Sequence, residues 1–233
     1  MTMTLANDPN RSLAPKRPRG KRKGPGRPEG ASVSKSDILD AAETVFANLG
    51  YAGTTLREVA TQAKVTQALI SYYFGSKFGL FEAVFLRRSV PISQQRLDNL
   101  DALRARGKLK VREIVRAFLL PTLALRSSAQ GRAFLRLQAR LHTEPPEISY
   151  TLRTNAYGVS TRRYVEAVLE ALPRMPELDA YWRVTLMIGT YLYAFSDTHR
   201  MDAMTPPGLY DPDDTESLID QVTRFVVGGV EAR

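Results

Sequence analysis

The chain has 233 residues and no cysteine, with 33 Lys+Arg against 24 Asp+Glu for a formal charge of +9. Without cysteine there is no disulfide framework, thiolate metal site or cysteine nucleophile, and a reducing cytoplasm is the expected compartment. The longest apolar run, Ala117 to Leu125, is interrupted by Pro121 and falls short of the ~18 residues a membrane-spanning helix needs.

Residues 1–30 hold eight Lys/Arg against Asp8 and Glu29 and so supply +6 of the +9. The segment is broken by Pro9, Pro15, Pro18, Pro25 and Pro28, and its only large aliphatics are Leu5 and Leu13. It cannot bury enough apolar surface to fold alone. With no apolar h-region it is not a secretory signal, and it reads either as a solubilising tail or as an arm that binds a polyanion.

A compact helical unit is expected over 31–90. Ser34 and Asp37 form a capping box ahead of Ile38, Ala42, Val45, Phe46 and Leu49, with Gly50 as the stop. Thr55 and Glu58 repeat the signature before a second helix carrying Leu56, Val59, Ala60 and Ala63. Thr66 caps a third short helix to about Tyr73, and Ser76 a fourth that runs from Lys77 to just before Pro91. Two short capped helices joined by a few residues are the geometry of a helix-turn-helix, whose second helix lies in the major groove. Short helical hairpins also occur in all-α cores, so spacing alone leaves both readings open.

The residues are more specific. Gly50-Tyr51-Ala52-Gly53-Thr54-Thr55-Leu56-Arg57-Glu58-Val59-Ala60, then Val65 to Lys77 and Leu80-Phe81, resemble the DNA-binding domain of the tetracycline-repressor (TetR) family over about residues 34–88. The resemblance implies that Thr54 and Thr55 bind a backbone phosphate, a role compatible with capping. It places Thr66, Gln67 and Ala68 against base edges or phosphates. Gln67 can pair bidentately with adenine, and Ala68 can meet a thymine methyl. Tyr72 and Tyr73 fall on the aromatic pair along the DNA backbone, Tyr73 having core packing as its alternative, and Lys77 falls on a phosphate-neutralising lysine. Ser71 stands where many relatives carry an aromatic, so its contact is smaller. Leu69 and Ile70 are assigned to packing.

Ahead of such a reader the arm is expected to bind DNA. Pro18-Arg19-Gly20-Lys21-Arg22 and Gly26-Arg27-Pro28 resemble pieces of the AT-hook, with Lys23 between them, although Pro25 stands where the hook's first Arg belongs. Arg27 is the first candidate for minor-groove insertion and Arg19 the next.

Residues 91–233 read as a larger all-helical domain for effector binding and dimerisation. Val111, Ile114, Val115, Phe118 and Leu119 form a stripe that meets Pro121, which is expected to kink or break the helix. Phe134, Leu135, Gln138 and Leu141 mark another helix, closed by Pro145-Pro146. Glu147 to Leu172 follows, with Ile148, Leu152, Val159, Val168, Leu169 and Leu172 inward. Tyr181 to Phe195 is apolar on two faces, and Glu216 to Val230 carries Leu218, Val222, Phe225 and Val226 with Gly228-Gly229. The resemblance implies a four-helix homodimer interface built from Trp182, Leu186, Gly189, Tyr193, Leu218, Val222, Phe225, Val226 and Gly229; intramolecular core is the alternative. Phe118, Phe134, Tyr157, Trp182 and Tyr191 beside Gln138, His142 and Asn155 suit an apolar effector pocket with a few orienting hydrogen bonds.

No catalytic constellation, metal spacing or phosphate loop is present, His142 and His199 being far apart in sequence. No cofactor is expected. Arg132, Arg136 and Arg140 stand one turn apart as an anion site or as a solvated face. The expectation is a homodimeric all-α repressor released from palindromic double-stranded DNA by an unidentified small molecule. The alternative is a ligand-independent, architectural DNA-binding protein dominated by its arm.

Overall fold

The computed structural model describes residues 34–196 and 200–232, and the regular structure among them is helical. The arm, with Arg19, Lys21, Arg22, Lys23 and Arg27, lies outside the described residues, as does His199. The described residues form one compact unit. Among the described residues no helix is long and apolar enough to cross a membrane.

Capping chemistry sets the first helices. Helix α1 (Lys35–Gly53) starts at Ser34, whose hydroxyl accepts the Asp37 amide at 3.2 Å while Asp37 Oδ2 accepts the Ser34 amide at 2.7 Å. Bonds from the Ser34 amide and then its hydroxyl hold the Asp37 carboxyl below the usual carboxylate range. Gly50 takes the left-handed φ of +73° that its expected role as a stop requires, but one more turn continues past this kink to Gly53. Thr55 and Glu58 box the start of α2 (Leu56–Ala63), Thr66 accepts the Leu69 amide at the start of α3 (Gln67–Phe74), and Ser76 accepts the Gly79 amide at the start of α4 (Lys77–Ala105). Ile38, Phe46, Val59, Ile70, Leu80 and Phe81 bury fully beneath these four helices. The buried carboxylate of Glu43 receives Arg87 Nη2 at 2.6 Å and Arg88 Nε at 3.2 Å, fastening α1 to α4 with its charge compensated.

Helix α4 (Lys77–Ala105) does not stop before Pro91; it runs 29 residues through it, so the boundary expected between 90 and 91 falls inside one helix. Pro91 forfeits a bond to the Arg87 carbonyl, a cost of about 3 kcal/mol. Beyond it Ile92, Leu100 and Leu103 are buried, at about 2 kcal/mol each. Burial wins.

Helix α5 (Val111–Leu123) likewise continues through Pro121, again against expectation. The proline cannot donate to the Ala117 carbonyl, and Asn99 Nδ2 of α4 donates to it at 3.2 Å instead. Arg96 Nε takes the neighbouring Phe118 carbonyl at 2.9 Å. A break is avoided because side chains from another helix satisfy the freed backbone.

Helix α6 (Ala129–Arg140) ends in a 3₁₀ turn, Leu141–Thr143, and α7 (Pro146–Ala171) follows from a proline start. In α7 the inward stripe is Leu152, Ala156, Tyr157, Ser160, Tyr164, Val165 and Val168, while Val159, expected inward, is 71% exposed. Helix α8 (Glu177–Phe195), the short α9 (Arg200–Met204) and α10 (Thr215–Glu231) complete the described fold. One apolar core joins the end of α4 with α5, the second half of α7, α8 and α10; another lies beneath α1–α4 and extends to α6 and the start of α7.

Candidate nucleic-acid interface and ligand cavity

Helix α3 has a sharply divided surface. Ile70 is fully buried and Leu69 partly so, whereas Thr66, Gln67, Ala68, Ser71 and Tyr72 are exposed, Tyr72 by 82%. Gln67, Ala68, Ser71 and Tyr72 share one helical face. Tyr73 is more covered and stands edge-on to both Tyr72 and Phe74, so it joins the packing and the surface. The row offers an amide, a hydroxyl, a methyl and a phenol, groups that can read base edges. Thr55 is exposed at the α2 N-terminus, its hydroxyl bonded to Glu58.

Two expected DNA ligands are placed otherwise. Thr54 is 1% exposed and its hydroxyl donates to the Gly50 carbonyl at 2.7 Å, because the kinked end of α1 needs a donor there. Lys77 turns back onto the same corner: Nζ donates to the Thr54 carbonyl at 2.7 Å and sits 4.4 Å over the Tyr51 ring. Both side chains clasp the α1–α2 junction.

A cavity of about 600 Å³ opens between α4, α6, α7 and α8. Of the expected effector residues, Gln138, His142, Tyr157 and Tyr191 line it. Phe118 and Phe134 do not; they are fully buried in the two cores, Phe134 against Phe85 at 5.6 Å. Asn155 and Trp182 are exposed, because Asn155 is one position off the Leu152–Ala156 stripe and Trp182 falls on the outer row of α8. Gln138 Nε2 donates to Tyr157 Oη at 2.8 Å and Tyr191 Oη at 3.4 Å, while its buried Oε1 is unpartnered. Burial, and then the nearby Tyr191, push the Tyr157 phenol far above its ordinary range, so it stays a neutral hydroxyl. Desolvation and then Arg153 pull His142 down, leaving a neutral imidazole at pH 7 whose Nδ1 lies 3.3 Å from Arg153 Nη1.

The sequence reading missed Arg96, Arg153 and Arg162 in this wall. Arg96 was legible: it interrupts the buried α4 stripe Ile92, Leu100, Leu103, an apolar position at which a charge demands a reason. Its guanidinium lies 3.6 Å from the Phe118 ring centroid and 5.4 Å from those of Tyr157 and Tyr191. Arg132, by contrast, pairs with Asp213 at 2.7 Å, which takes it out of a single anion-binding row with Arg136 and Arg140.

On α8, Trp182, Leu186, Gly189 and Tyr193 form an exposed row, joined on the neighbouring α10 by Phe225 and Gly229. Val222 and Val226, expected in the same interface, are buried against the core instead, and Leu218 is half-buried. The apolar stripe of α10 is wide enough that only one edge of it can face outward.

The wall of the cavity touches the reading unit. Leu141 and His142 line the cavity, and two residues on Glu144 Oε1 accepts the Tyr51 amide at 2.8 Å. Gly50 lies so close that a Cβ there would stand 3.0 Å from the same oxygen.

A family model described as "Bacterial regulatory proteins, tetR family" matches residues 38–84, and one described as "Tetracyclin repressor-like, C-terminal domain" matches residues 116–229. The HTH-type transcriptional regulator BetI of Paraburkholderia xenovorans is 33% identical over 85 residues, 36% of this chain and 44% of that relative. The HTH-type transcriptional repressor NicS of Pseudomonas putida is 40% identical over 58 residues, 25% of this chain and 27% of that relative. The matches thus span less than half the length of these curated relatives. Among solved structures, FadR of Bacillus subtilis, a transcriptional regulator in complex with stearoyl-CoA, superposes with a TM-score of 0.62 over 84% of this chain and 99% of that one, at 18% identity. At that identity the likeness is one of fold.

Proposed function

We propose, for a chain that belongs to the tetracycline-repressor family of transcriptional regulators, a homodimeric repressor that grips a palindromic operator with α3 and lets go when a small molecule fills the cavity. The family is one of regulators, not of enzymes. The observation that carries the reading is the exposed polar face of α3, opposite a fully buried Ile70, in a unit bonded to the cavity wall through Glu144. NicS is named a repressor, which favours repression as the sign. A twofold dimer places its two reading helices roughly 34 Å apart or a multiple of that, so the operator is expected to be palindromic. A purely architectural role would leave the cavity and the polar α3 row without a task.

Gln67→Ala tests the reading. Operator affinity should fall about 5- to 150-fold, equivalent to about 1–3 kcal/mol, with relaxed preference at one base pair. Fragments selected from random DNA by the pure protein supply the operator. Equal loss on operator and random DNA would refute base reading by Gln67.

The Glu144–Tyr51 bond is the proposed link between cavity and reader. A buried or half-buried bond to a charged acceptor is worth about 1.5–3 kcal/mol. Glu144→Ala should therefore speed hydrogen exchange at the Tyr51 amide and narrow the gap between DNA affinities with and without effector. An unchanged gap beside a faster Tyr51 amide would remove Glu144 from the path.

A further inference from the structure

We infer that the cavity is built for a small organic carboxylate with an apolar, ring-sized body, its anionic head held by Arg96. This rests on the effector role of the cavity proposed above and names its ligand class. Arg96 is 1% exposed, yet lines the cavity. Nε donates to the Phe118 carbonyl and Nη2 to Thr122 Oγ1, both at 2.9 Å. Neither partner is charged, and among the described residues no carboxylate lies within ion-pair distance and no protein atom receives Nη1. A buried cation without an anion is strongly disfavoured unless something supplies the missing charge. Aromatic faces offset part of this, since Phe118, Tyr157 and Tyr191 surround the guanidinium. They do not neutralise it.

The rest of the wall points the same way. The lining residues include three arginines, Arg96, Arg153 and Arg162, and no Asp or Glu. The charge at the cavity is therefore of one sign, which favours entry of an anion and disfavours a cation. Phe85, Tyr157, Tyr181 and Tyr191 offer ring-sized apolar surface. A second built feature belongs to the same lining: the buried Gln138 Oε1 has no donor, so a hydroxyl on the ligand would complete it. A carboxylate suits Arg96 better than a phosphate, because only one cation stands at depth while Arg153 is bonded to the Ser149 carbonyl and faces His142.

The test is calorimetric titration of the full-length protein with 4-hydroxyphenylacetate, its neutral amide, phenylacetate, phenyl phosphate and phenyltrimethylammonium. The acid should bind roughly 10- to 100-fold more tightly than its amide, as expected for a charge-assisted bond, and more tightly than phenylacetate. In Arg96→Met, checked for folding by circular dichroism, the preference for acid over amide should vanish. In Arg174→Gln, an exposed position outside the cavity lining, it should persist. No binding of either acid at millimolar concentration, equal binding of acid and amide, tighter binding of the phosphate or the ammonium, or a folded Arg96→Met variant that keeps the preference would each overturn the proposal. Carboxylate binding that leaves DNA affinity unchanged would instead sink the regulatory reading and leave the site standing.

Discussion

A Leu186→Glu, Phe225→Glu double variant should be a monomer that retains its fold and loses at least ~10²-fold in operator affinity. Leu186 is 62% and Phe225 73% exposed in the single chain, on neighbouring helices and in line with Trp182 and Tyr193. Each large apolar side chain covered by a second copy contributes about 1.5–3 kcal/mol. Each carboxylate placed in that contact faces its own symmetry mate or apolar surface and must be desolvated. Two half-sites bound by one dimer gain about 10²–10⁴ in avidity over separate monomers, and that gain disappears with the dimer. Sedimentation and operator titration read the two losses together. Since neither side chain is in the core, the thermal midpoint of the isolated chain should change little, and a variant that stays dimeric would place the interface elsewhere.

The second large effect is expected at Gly79. A Cβ added there would stand 2.2 Å from the Phe74 carbonyl oxygen, a backbone atom that cannot swing aside as a side chain would. The contact is forced because α3 ends at Phe74 and α4 begins at Lys77, with only Gly75 and Ser76 between them. Gly79→Ala must push α3 away from α4 or unwind the first turn of α4, where Ser76 Oγ accepts the Gly79 amide at 3.0 Å. A loss of at least about 3 kcal/mol is expected, within the range for forced backbone displacement. Denaturant melts would measure it. Gly158→Ala is the control: a Cβ there meets only Thr154 Cγ2 at 3.7 Å, so helix propensity should leave it neutral or raise stability by up to about 1 kcal/mol. Similar losses at both positions would mean that helical glycine, not the α3–α4 approach, is what matters.

What could be read from the chain alone was whatever is decided locally. Ser34, Thr55, Thr66 and Ser76 cap the helices they were expected to cap, because a hydroxyl and an amide three residues on need no tertiary partner. The outward face of α3 was legible for the same reason. Pro91 and Pro121 were misread because the rule applied to them is local and its opponent is not: buried Leu100 and Leu103 in one case, Asn99 and Arg96 from another helix in the other. Stopping α4 at Pro91 hid Arg96, and with it the charge of the cavity. The long α7 and α10 are covered on more than one side, so their apolar residues do not by themselves say which edge is free. Val159, Val222 and Val226 were assigned to the wrong edge on that account.

The unbroken course of α4 makes it a lever. Lys77, at the corner of the reading unit, and Arg96, in the cavity wall, are on the same rod, about 28 Å apart at 1.5 Å per residue. A tilt of about 5° at the cavity end then carries the other end about 2.5 Å, a large fraction of the separation between neighbouring base edges along the groove. Pro91 lies between the two ends, where one rung of the hydrogen-bond ladder is missing. That is the cheapest place along the rod to bend. In the proposed switch, the position of this proline would set how much of a movement at the cavity reaches the DNA side as rotation, and how much is absorbed on the way.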